Sequence, residues 1–354
     1  MSDVWFIPAT ADDPQGCQER MRALLGASGI LSRLGHGDLV GIKVHIGETR
    51  KRQFLGQELA AECASETHAR GAHPFFTDTC VLYKSRRDDA VNHTILAHEH
   101  GYSVERAGAP FLVADGLLGT DEEPVAVPAV GPAPIAVAGM ARRAHGVLVI
   151  AHATGHLATG FGGVIKSLGM GLAARKGKLA MHSVSKPFIR AKVCTACGEC
   201  ALWCPEDAIT VTERASIDQA RCIGCGECLA VCRFGAVGFD WKASSQALQQ
   251  KIAEHALAVV FGREARFGYV VIALRITKDC DCIEDPGPPL FGDIGLLASR
   301  DPVAIDQAAL DLIKERTGRP LQEWGYRQID PTVQLLHAEA IGLGSRAYRL
   351  ITLP

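Results

Sequence analysis

The chain has 354 residues, 47% of them hydrophobic, and a formal net charge of -2 at pH 7. This length suits one large domain or two modest ones, and the near-neutral charge argues against nucleic acid or an anionic membrane as a partner. Thirteen cysteines, an odd number, fit a reducing compartment. Because the sequence has neither a signal-peptide pattern nor an apolar run near roughly 18 residues, we expect a soluble, cytoplasmic protein without membrane contact.

The first half of the chain alternates strand and helix patterns, as βα units do. The predicted elements are a strand at Val4–Pro8, a helix at Gln18–Leu34, a strand at Asp38–His45, a helix at Gln53–Arg70, a strand at His73–Asp78, a helix at Arg86–His100, and strands at Phe111–Asp115 and Val147–His152. We therefore expect an α/β fold with a largely parallel sheet and helices on both faces. A proline-rich stretch, 124–134, leaves open whether this part forms one body or two lobes.

The middle of the chain contains the same cysteine pattern twice. CTACGECALWCP starts at Cys194 and CIGCGECLAVCR at Cys222, and each reads C-x2-C-x2-C-x3-C with an offset of 28 residues. This spacing is typical of bacterial two-cluster ferredoxins. Residues 186–243 are therefore predicted to be an inserted α+β ferredoxin-type domain between two segments of an α/β host domain, 1–185 and 244–354. The stretch between the two copies fits a short hairpin, and GAVGFDW after the second copy supplies a matching strand.

Each copy is expected to give three cysteines to one [4Fe-4S] cluster and its fourth cysteine to the other cluster. Two zinc sites or stabilising disulfides are the alternatives, but zinc sites usually pair two C-x2-4-C knuckles across a longer gap. A proline follows the last cysteine of the first copy, whereas Arg233 takes that place in the second and is expected to raise the potential of the cluster beside it. The predicted ligand sets are Cys194, Cys197, Cys200 and Cys232 for one cluster and Cys222, Cys225, Cys228 and Cys204 for the second.

After the insert, the α/β pattern resumes. A helix is predicted at Ser245–Val260 and a strand at Tyr269–Ile276. A further helix is expected to begin at Pro302, with Asp301 as its N-cap.

Several polar residues lie where strands of the predicted sheet end, and ligands gather outside the carboxyl ends of parallel strands. His45, Asp78 and His152 each end a strand, and His156 and Lys166 follow in a glycine-rich stretch. A single histidine in such a place is more often a hydrogen-bonding residue than a ligand, but the loop after His152 is expected to fold back and bring it and His156 to one point. Lys166 lacks the preceding glycine of a Walker A motif, so it is predicted either to bind a carboxylate or phosphate or to form a structural salt bridge.

Cys280 and Cys282 lie one residue apart in the sequence DCDC. Two such cysteines can chelate one soft metal, close a strained redox-active disulfide, or be buried thiols. We favour a functional pair and predict an additional metal at this place. The flanking acids are expected to raise the pKa of both thiols, which makes them poor nucleophiles without a metal.

The motifs IKVHIGE, TDTCVLYKSRRDDAVNH, ADGLLG, GFGGVIKSLGMG, KLAMHSVSKP, DCDC and DIGLLASRDPVAIDQ occur in this order around the insert. In this respect the chain resembles the iron-sulphur centre proteins of the family called domain of unknown function 362. The resemblance implies an α/β host with the insert as its redox partner. One departure is Ser167, since asparagine is expected after the lysine. The candidate site residues that the resemblance implies are His45, Glu48, Asp78, Tyr83, Lys84, His152, His156, Lys166, His182, Cys280 and Cys282.

The favoured function is an iron-sulfur oxidoreductase that takes electrons from a soluble redox partner and passes them through two clusters to a small anionic substrate or a metal in the host. A non-catalytic electron carrier and a metal- or cluster-handling protein are the alternatives. No dinucleotide fingerprint follows the first strand. The predicted catalytic residues are Lys166, His152, His156, Asp78 and His45, with Cys280 and Cys282 as a third metal site or a dithiol.

Overall fold

An eight-stranded sheet forms the centre of the α/β part. Its strands in chain order are β1 (Ser2–Pro8), β2 (Leu39–Lys43), β3 (His73–Asp78), β4 (Phe111–Val113), β5 (Gly146–His152), β6 (Phe267–Ala273), β7 (Gly295–Ser299) and β8 (Tyr348–Thr352). They lie in the order β8-β1-β7-β6-β5-β2-β3-β4, and all run in one direction except β7. The predicted α/β fold with a largely parallel sheet is therefore confirmed.

The structure is a computed structural model that describes residues 1–49, 51–52, 56–182, 186–222, 227–238 and 245–354. Its helices are α1 (Pro14–Ser28), α2 (Gly56–His68), α3 (Ala90–Glu99), α4 (Val104–Ala107), α5 (Gly139–Arg143), α6 (Val164–Gly169), α7 (Arg175–His182), α8 (Glu199–Leu202), α9 (Glu227–Val231), α10 (Ser245–Val260), α11 (Pro302–Thr317), α12 (Leu321–Trp324) and α13 (Thr332–Ala340), with a 3-10 turn at Glu264–Arg266. Among these described segments, no helix has both the length and the apolar character needed to cross a bilayer.

Helices cover both faces of the sheet, as strand β5 illustrates. All of its residues are buried, and successive side chains enter opposite cores. Val147 and Val149 pack with residues of α10 and α11, whereas Leu148 and Ile150 pack with residues of α1 and α2. The first of these cores also takes in the hairpin Glu122–Val125 with Ile135–Ala138. The proline-rich stretch thus forms part of a hairpin that packs on this core.

Capping residues account for the helix boundaries that differ from prediction. Helix α1 begins earlier than expected because the Asp13 carboxylate accepts the Gly16 N–H at 3.0 Å, and it ends early at Gly29, whose φ is +60°. Helix α3 begins at Ala90, after the N-cap Asp89. The start of α11 and both ends of α10 agree with prediction. The predicted helix at 53–70 corresponds to α2, and residues 53–55 lie outside the described part of the chain.

Residues 186–243, which we call the cysteine lobe, contain two short two-stranded sheets beside α8 and α9. Ile209–Val211 pairs with Ala215–Ile217, which confirms the predicted hairpin, and Phe188–Ile189 pairs with Val237–Gly238. Residues 239–244, the rest of the predicted last strand, lie outside the described part, as does Cys225.

The 28-residue sequence repeat is also a structural repeat. The cross-strand pair of Ile189 with Val237 corresponds to the pair of Ile217 with Ile209, so each copy lends one strand to each sheet. Helices α8 and α9 begin at equivalent positions. The two copies are therefore halves of one small unit with its own apolar core.

Candidate functional site

A cleft of about 440 Å³ lies beyond the carboxyl ends of β2 and β3, within the size range of small-molecule sites. The hairpin Thr154–His156 with Gly160–Gly162 continues from β5 and forms one wall, with α6 and α7 beside it. The polar lining residues are Lys43, His45, Asp78, Thr79, Tyr83, Arg87, His156, Lys166, Ser167, Lys178, His182 and Cys282.

A buried ionic network supports one side of the cleft. Arg87 is 1% exposed and donates to Glu48 through Nε at 3.0 Å and Nη2 at 2.5 Å. Tyr83 donates its hydroxyl to the same carboxylate at 2.6 Å, and Ser85 donates to the other oxygen at 2.9 Å. Burial alone would raise the pKa of Glu48, but the Arg87 charge and these hydrogen bonds lower it below its usual value. Glu48 is therefore ionised.

Asp78 links this network to the floor of the cleft. Its carboxylate lies 3.1 Å from Lys43 Nζ and 3.4 Å from Arg87 Nη1. Burial opposes ionisation, yet the two cations hold its pKa well below the usual range. Asp78 is therefore ionised and acts as the counter-ion of Lys43 and Arg87.

Lys166 and the pair of Cys280 and Cys282 form the opposite side. Lys166 Nζ lies 3.7 Å from Cys282 Sγ. Interaction with Cys282 lowers the pKa of Cys280 to about 6 against the effect of burial, with help from the Lys166 ammonium, while the pKa of Cys282 is raised. Cys280 is therefore the more acidic thiol of the two. The expectation that flanking acids raise the pKa of both thiols is wrong for Cys280.

His45 and His156 both place ring nitrogens at the cleft. His45 Nδ1 accepts the Gly47 N–H at 3.1 Å, and its Nε2 lies 3.1 Å from Arg87 Nη1 and 3.3 Å from Cys282 Sγ. His156 Nδ1 accepts two backbone N–H groups, from Ala158 and Thr159, each at 3.1 Å. Burial, reinforced by the Lys166 charge, lowers the pKa of His156 to about 3. Its neutral ring therefore carries the proton on Nε2, as a hydrogen-bond donor.

His152 lies elsewhere. It lines a second cavity of about 590 Å³ with Asp281 and Arg275, so it is not brought together with His156 as expected. Its Nδ1 is 2.9 Å from the Asp281 carboxylate and its Nε2 is 2.8 Å from the Leu274 carbonyl oxygen. Burial disfavours the charged ring, but Asp281 raises its pKa above the usual value. Because both partners accept, both ring nitrogens carry protons and His152 is an imidazolium ion that anchors the DCDC segment.

The glycine-rich loop owes its shape to a carboxylate on α11. Asp306 is fully buried and accepts the N–H groups of Val164 and Ile165 at 2.7 and 2.9 Å. A Cβ on Gly163 would lie 2.4 Å from this carboxylate, so the approach requires glycine here. Asp306 thereby fixes the position of α6 and of Lys166, which follows Ile165 directly. It also occupies the N–H groups at the start of α6.

The cysteine lobe contains a second group of side chains. Four cysteines, Cys194, Cys197, Cys200 and Cys232, line one cavity. Cys194 Sγ accepts the Ala215 N–H at 3.4 Å. The fourth cysteines of both copies accept equivalent hydrogen bonds. Cys204 Sγ accepts the Ala208 N–H and Cys232 Sγ accepts the Ala236 N–H, each at 3.2 Å. The twelve described cysteines of the chain are all free thiols.

The structure brings most of the predicted host residues together, but not all. Lys84 is exposed and Glu48 lies behind the lining, while His152 faces the other cavity. In the described part of the chain, no three His, Cys, Asp or Glu side chains are arranged to hold one metal ion. Sequence reasoning missed Arg87, Lys43, Lys178 and Asp281. The position of Lys43 inside the apolar strand β2 was the one sequence feature that indicated a buried charge.

Two solved structures are partly similar to this chain. One is the lactate racemase apoprotein from Thermoanaerobacterium thermosaccharolyticum, at 10% identity and a TM-score of 0.36, with 77% of this chain and 51% of that protein covered. The other is a protein from Thermotoga maritima, at 11% identity and a TM-score of 0.42, with 85% and 59% covered. The chain thus spans little more than half the length of either protein. Likeness at this level does not indicate a shared activity.

No curated protein matches the chain. A family model does, over residues 40–311, which is most of the length and includes every lining residue of the cleft. The motifs that resembled this family therefore lie within the matched region. The chain belongs to the family described as Domain of unknown function (DUF362).

Proposed function

We propose that this protein is an iron-sulfur redox protein whose cysteine lobe holds two [4Fe-4S] clusters and whose cleft binds a small anionic substrate. One cluster is assigned to the four cysteines around the cavity of the lobe. The second is assigned to Cys222, Cys225, Cys228 and Cys204. Such clusters supply one-electron transfer when bound, and a soluble redox partner would be the electron donor.

The observation that carries the cluster assignment is the set of four thiols around one cavity. Cys194, Cys197 and Cys200 come from the first copy and Cys232 from the second, as the ligand exchange between copies in two-cluster ferredoxins requires. A cavity surrounded by thiols suits a cluster with four iron corners better than a single ion. The backbone N–H groups directed at the sulfurs support the same assignment, since hydrogen bonds to sulfur tune cluster potentials.

Anaerobic purification followed by iron and sulfide analysis and EPR tests this assignment. About eight irons and eight sulfides per chain are expected. Cys197→Ser should lose about half of both, because it removes a ligand of one cluster only. Cys63→Ser is the matched control, since Cys63 is fully buried in the host and far from the repeat in sequence. Bound zinc, or iron content that Cys197→Ser leaves unchanged, would contradict the proposal.

The anionic substrate is supported by the charges of the cleft. Lys43 and Arg87 are neutralised by Asp78 and Glu48, whereas the negative charges near Lys166 among the described residues are those of the cysteine pair and Asp281. His156 adds a neutral N–H donor on the same surface. An ammonium and an N–H together can bind a carboxylate or phosphate oxygen.

Binding of small carboxylates and inorganic phosphate, measured by calorimetry on the purified protein, tests this second part. We expect Lys166→Gln to weaken binding of the best anion at least tenfold, or about 1.4 kcal/mol. Lys314→Gln, an exposed lysine on α11, should leave affinity unchanged. Equal affinity in wild type and Lys166→Gln would contradict the substrate assignment without affecting the cluster assignment.

A non-catalytic electron carrier and a metal- or cluster-handling protein remain the alternative functions. A pure carrier has no need of a cleft that assembles buried cations, histidines and thiols, which favours the oxidoreductase. The additional metal at Cys280 and Cys282 stays a prediction, as do the catalytic roles of His45, His152 and Asp78. A metal other than iron that is lost in Cys280→Ser would favour metal handling.

A further inference from the structure

Lys166 differs from the other cations of the cleft in its contacts. Its ammonium lies 3.7 Å from the sulfur of Cys282, a weak acceptor, and in the described part of the chain no carboxylate is in direct contact with it. Lys43, by comparison, lies 3.1 Å from the Asp78 carboxylate and donates to the Val44 carbonyl oxygen at 2.8 Å. An ammonium has three N–H donors, so Lys166 has donors available for an oxygen atom of a ligand.

The remaining two cations of the cleft also have protein carboxylates beside them. Lys178 Nζ lies 4.0 Å from the Asp115 carboxylate, and Arg87 pairs with Glu48 at 2.5 Å. This leaves one ammonium, that of Lys166, to meet the charge of a ligand. A group with a single negative charge, such as a carboxylate, therefore matches the cleft better than a phosphate dianion or a longer polyanion.

Apolar side chains lie beside the two donors of the cleft. The Met170 N–H bonds to the Lys166 carbonyl oxygen at 2.9 Å, so the two residues are one turn apart on the same face at the end of α6. On the hairpin wall, Leu157 follows His156 directly and is 51% exposed. All four residues line the cleft. On two separate elements, a donor is thus followed by an apolar side chain at the surface of the cleft.

Helix α10 adds a further apolar wall. Leu248 and Ile252 are four residues apart, and both line the cleft from one face of this helix. The helix lies close against α6, because a Cβ on Gly169 would be 2.1 Å from the Ile252 carbonyl oxygen. The apolar wall and the helix that carries Lys166 are therefore in direct contact.

We propose that the cleft binds a monocarboxylate with an apolar body, with the carboxylate at Lys166 and His156 and the hydrocarbon part against Met170 and Leu157. This inference rests on the proposed anion site and narrows it to one class of substrate. Small-molecule sites are commonly built in this way, from an apolar lining with a few placed polar groups. Binding of the hydrocarbon part would also remove the exposed Leu157 side chain from water.

A homologous series of straight-chain carboxylates tests the proposal. Acetate, butanoate, hexanoate and octanoate are titrated by calorimetry into the anaerobically purified protein. Burying one methylene group raises an affinity about threefold to fourfold, so affinity should increase from acetate to hexanoate and level off once the cleft is filled. The heat-capacity change of binding should become more negative along the series, because more apolar surface is buried.

Two leucines of nearly equal exposure provide matched variants. Leu157 is 51% exposed, and Leu336, which lies on α13 and does not line the cleft, is 49% exposed. We expect Leu157→Gln to weaken hexanoate binding about fivefold and to leave acetate binding unchanged. Leu336→Gln should leave both affinities unchanged, and Lys166→Gln should weaken binding of every carboxylate in the series.

The titrations separate a failure of this inference from a failure of the anion site. Equal affinity for acetate and hexanoate, with binding still weakened in Lys166→Gln, would overturn the apolar body and leave the anion site in place. Inorganic phosphate that binds more tightly than hexanoate, again through Lys166, would overturn the carboxylate head alone. Affinity that is unchanged in Lys166→Gln, or no binding of any carboxylate, would overturn this inference together with the anion site.

Discussion

The buried Arg87 network gives the sharpest test of how the cleft is held. Arg87→Met keeps much of the side-chain volume but leaves two buried carboxylates, Glu48 and Asp78, with Lys43 as their only remaining close cation among the described residues. Removing one partner of a buried ion pair costs about 3–5 kcal/mol. We therefore expect the free energy of unfolding to fall by this amount, measured by urea denaturation of the anaerobic protein.

The neighbouring arginine is a matched control. Arg86 forms a two-point contact with Glu99 at 2.6 and 2.8 Å, but both side chains are substantially exposed. Exposed pairs contribute about 0–1 kcal/mol, so Arg86→Met should change stability little. Adding Glu48→Gln to Arg87→Met removes the unpaired charge and should recover about 1–3 kcal/mol. Equal losses in Arg86→Met and Arg87→Met would refute the reasoning.

The pH dependence provides a second readout of the same network. The pKa of Glu48 is lowered in the folded protein. Its contribution to the free energy of unfolding is therefore complete above the pKa of the unfolded chain, near 4.3, and is lost as pH falls through the folded pKa. In Arg87→Met this lowering weakens. The variant should therefore lose less stability than wild type on acidification from pH 5 to pH 3.

Three further predictions concern other parts of the molecule. Arg233→Pro should lower the reduction potential of one cluster in an EPR-monitored redox titration. Unchanged reduction potentials of both clusters would contradict the expected effect of Arg233. Asp281 raises the pKa of His152, so the pairing of the two contributes fully to the free energy of unfolding below pH 6.5. This contribution is lost as pH rises through the folded pKa of His152. His152→Gln should therefore flatten the decline of the free energy of unfolding above pH 6.5. Asp306→Ala leaves two buried N–H groups unpaired and should cost about 2–4 kcal/mol in urea unfolding, whereas Glu315→Ala on the same helix should cost little.

Helices and strands with a strong local sequence pattern were predicted well. The strand at His73–Asp78 and the helix at Ser245–Val260 agree at both ends, because a buried apolar run and a long amphipathic pattern each depend on nearby residues alone. The antiparallel strand β7 and the C-terminal β8 were missed. Their place in the sheet depends on pairing with β1, which lies almost a full chain length away.

The site was harder to predict than the fold. Arg87 follows another arginine, and such a pair resembles a solvated helix face. Its burial is explained by Glu48, 39 residues earlier, and by Asp78. His152 and His156 are close in sequence, yet a change of direction between β5 and the following hairpin directs them into different cavities.

Helix α7 connects the cleft with the cysteine lobe. Lys178 and His182 on this helix line the cleft, its C-terminal end leads into the lobe, and it contacts α9. Helix α9 carries Cys228, a proposed ligand of the second cluster, whereas the cavity with Cys194 is formed mainly by the first copy. Because Cys232 follows α9 directly, the contact between α7 and α9 joins the cleft to one proposed ligand of each cluster.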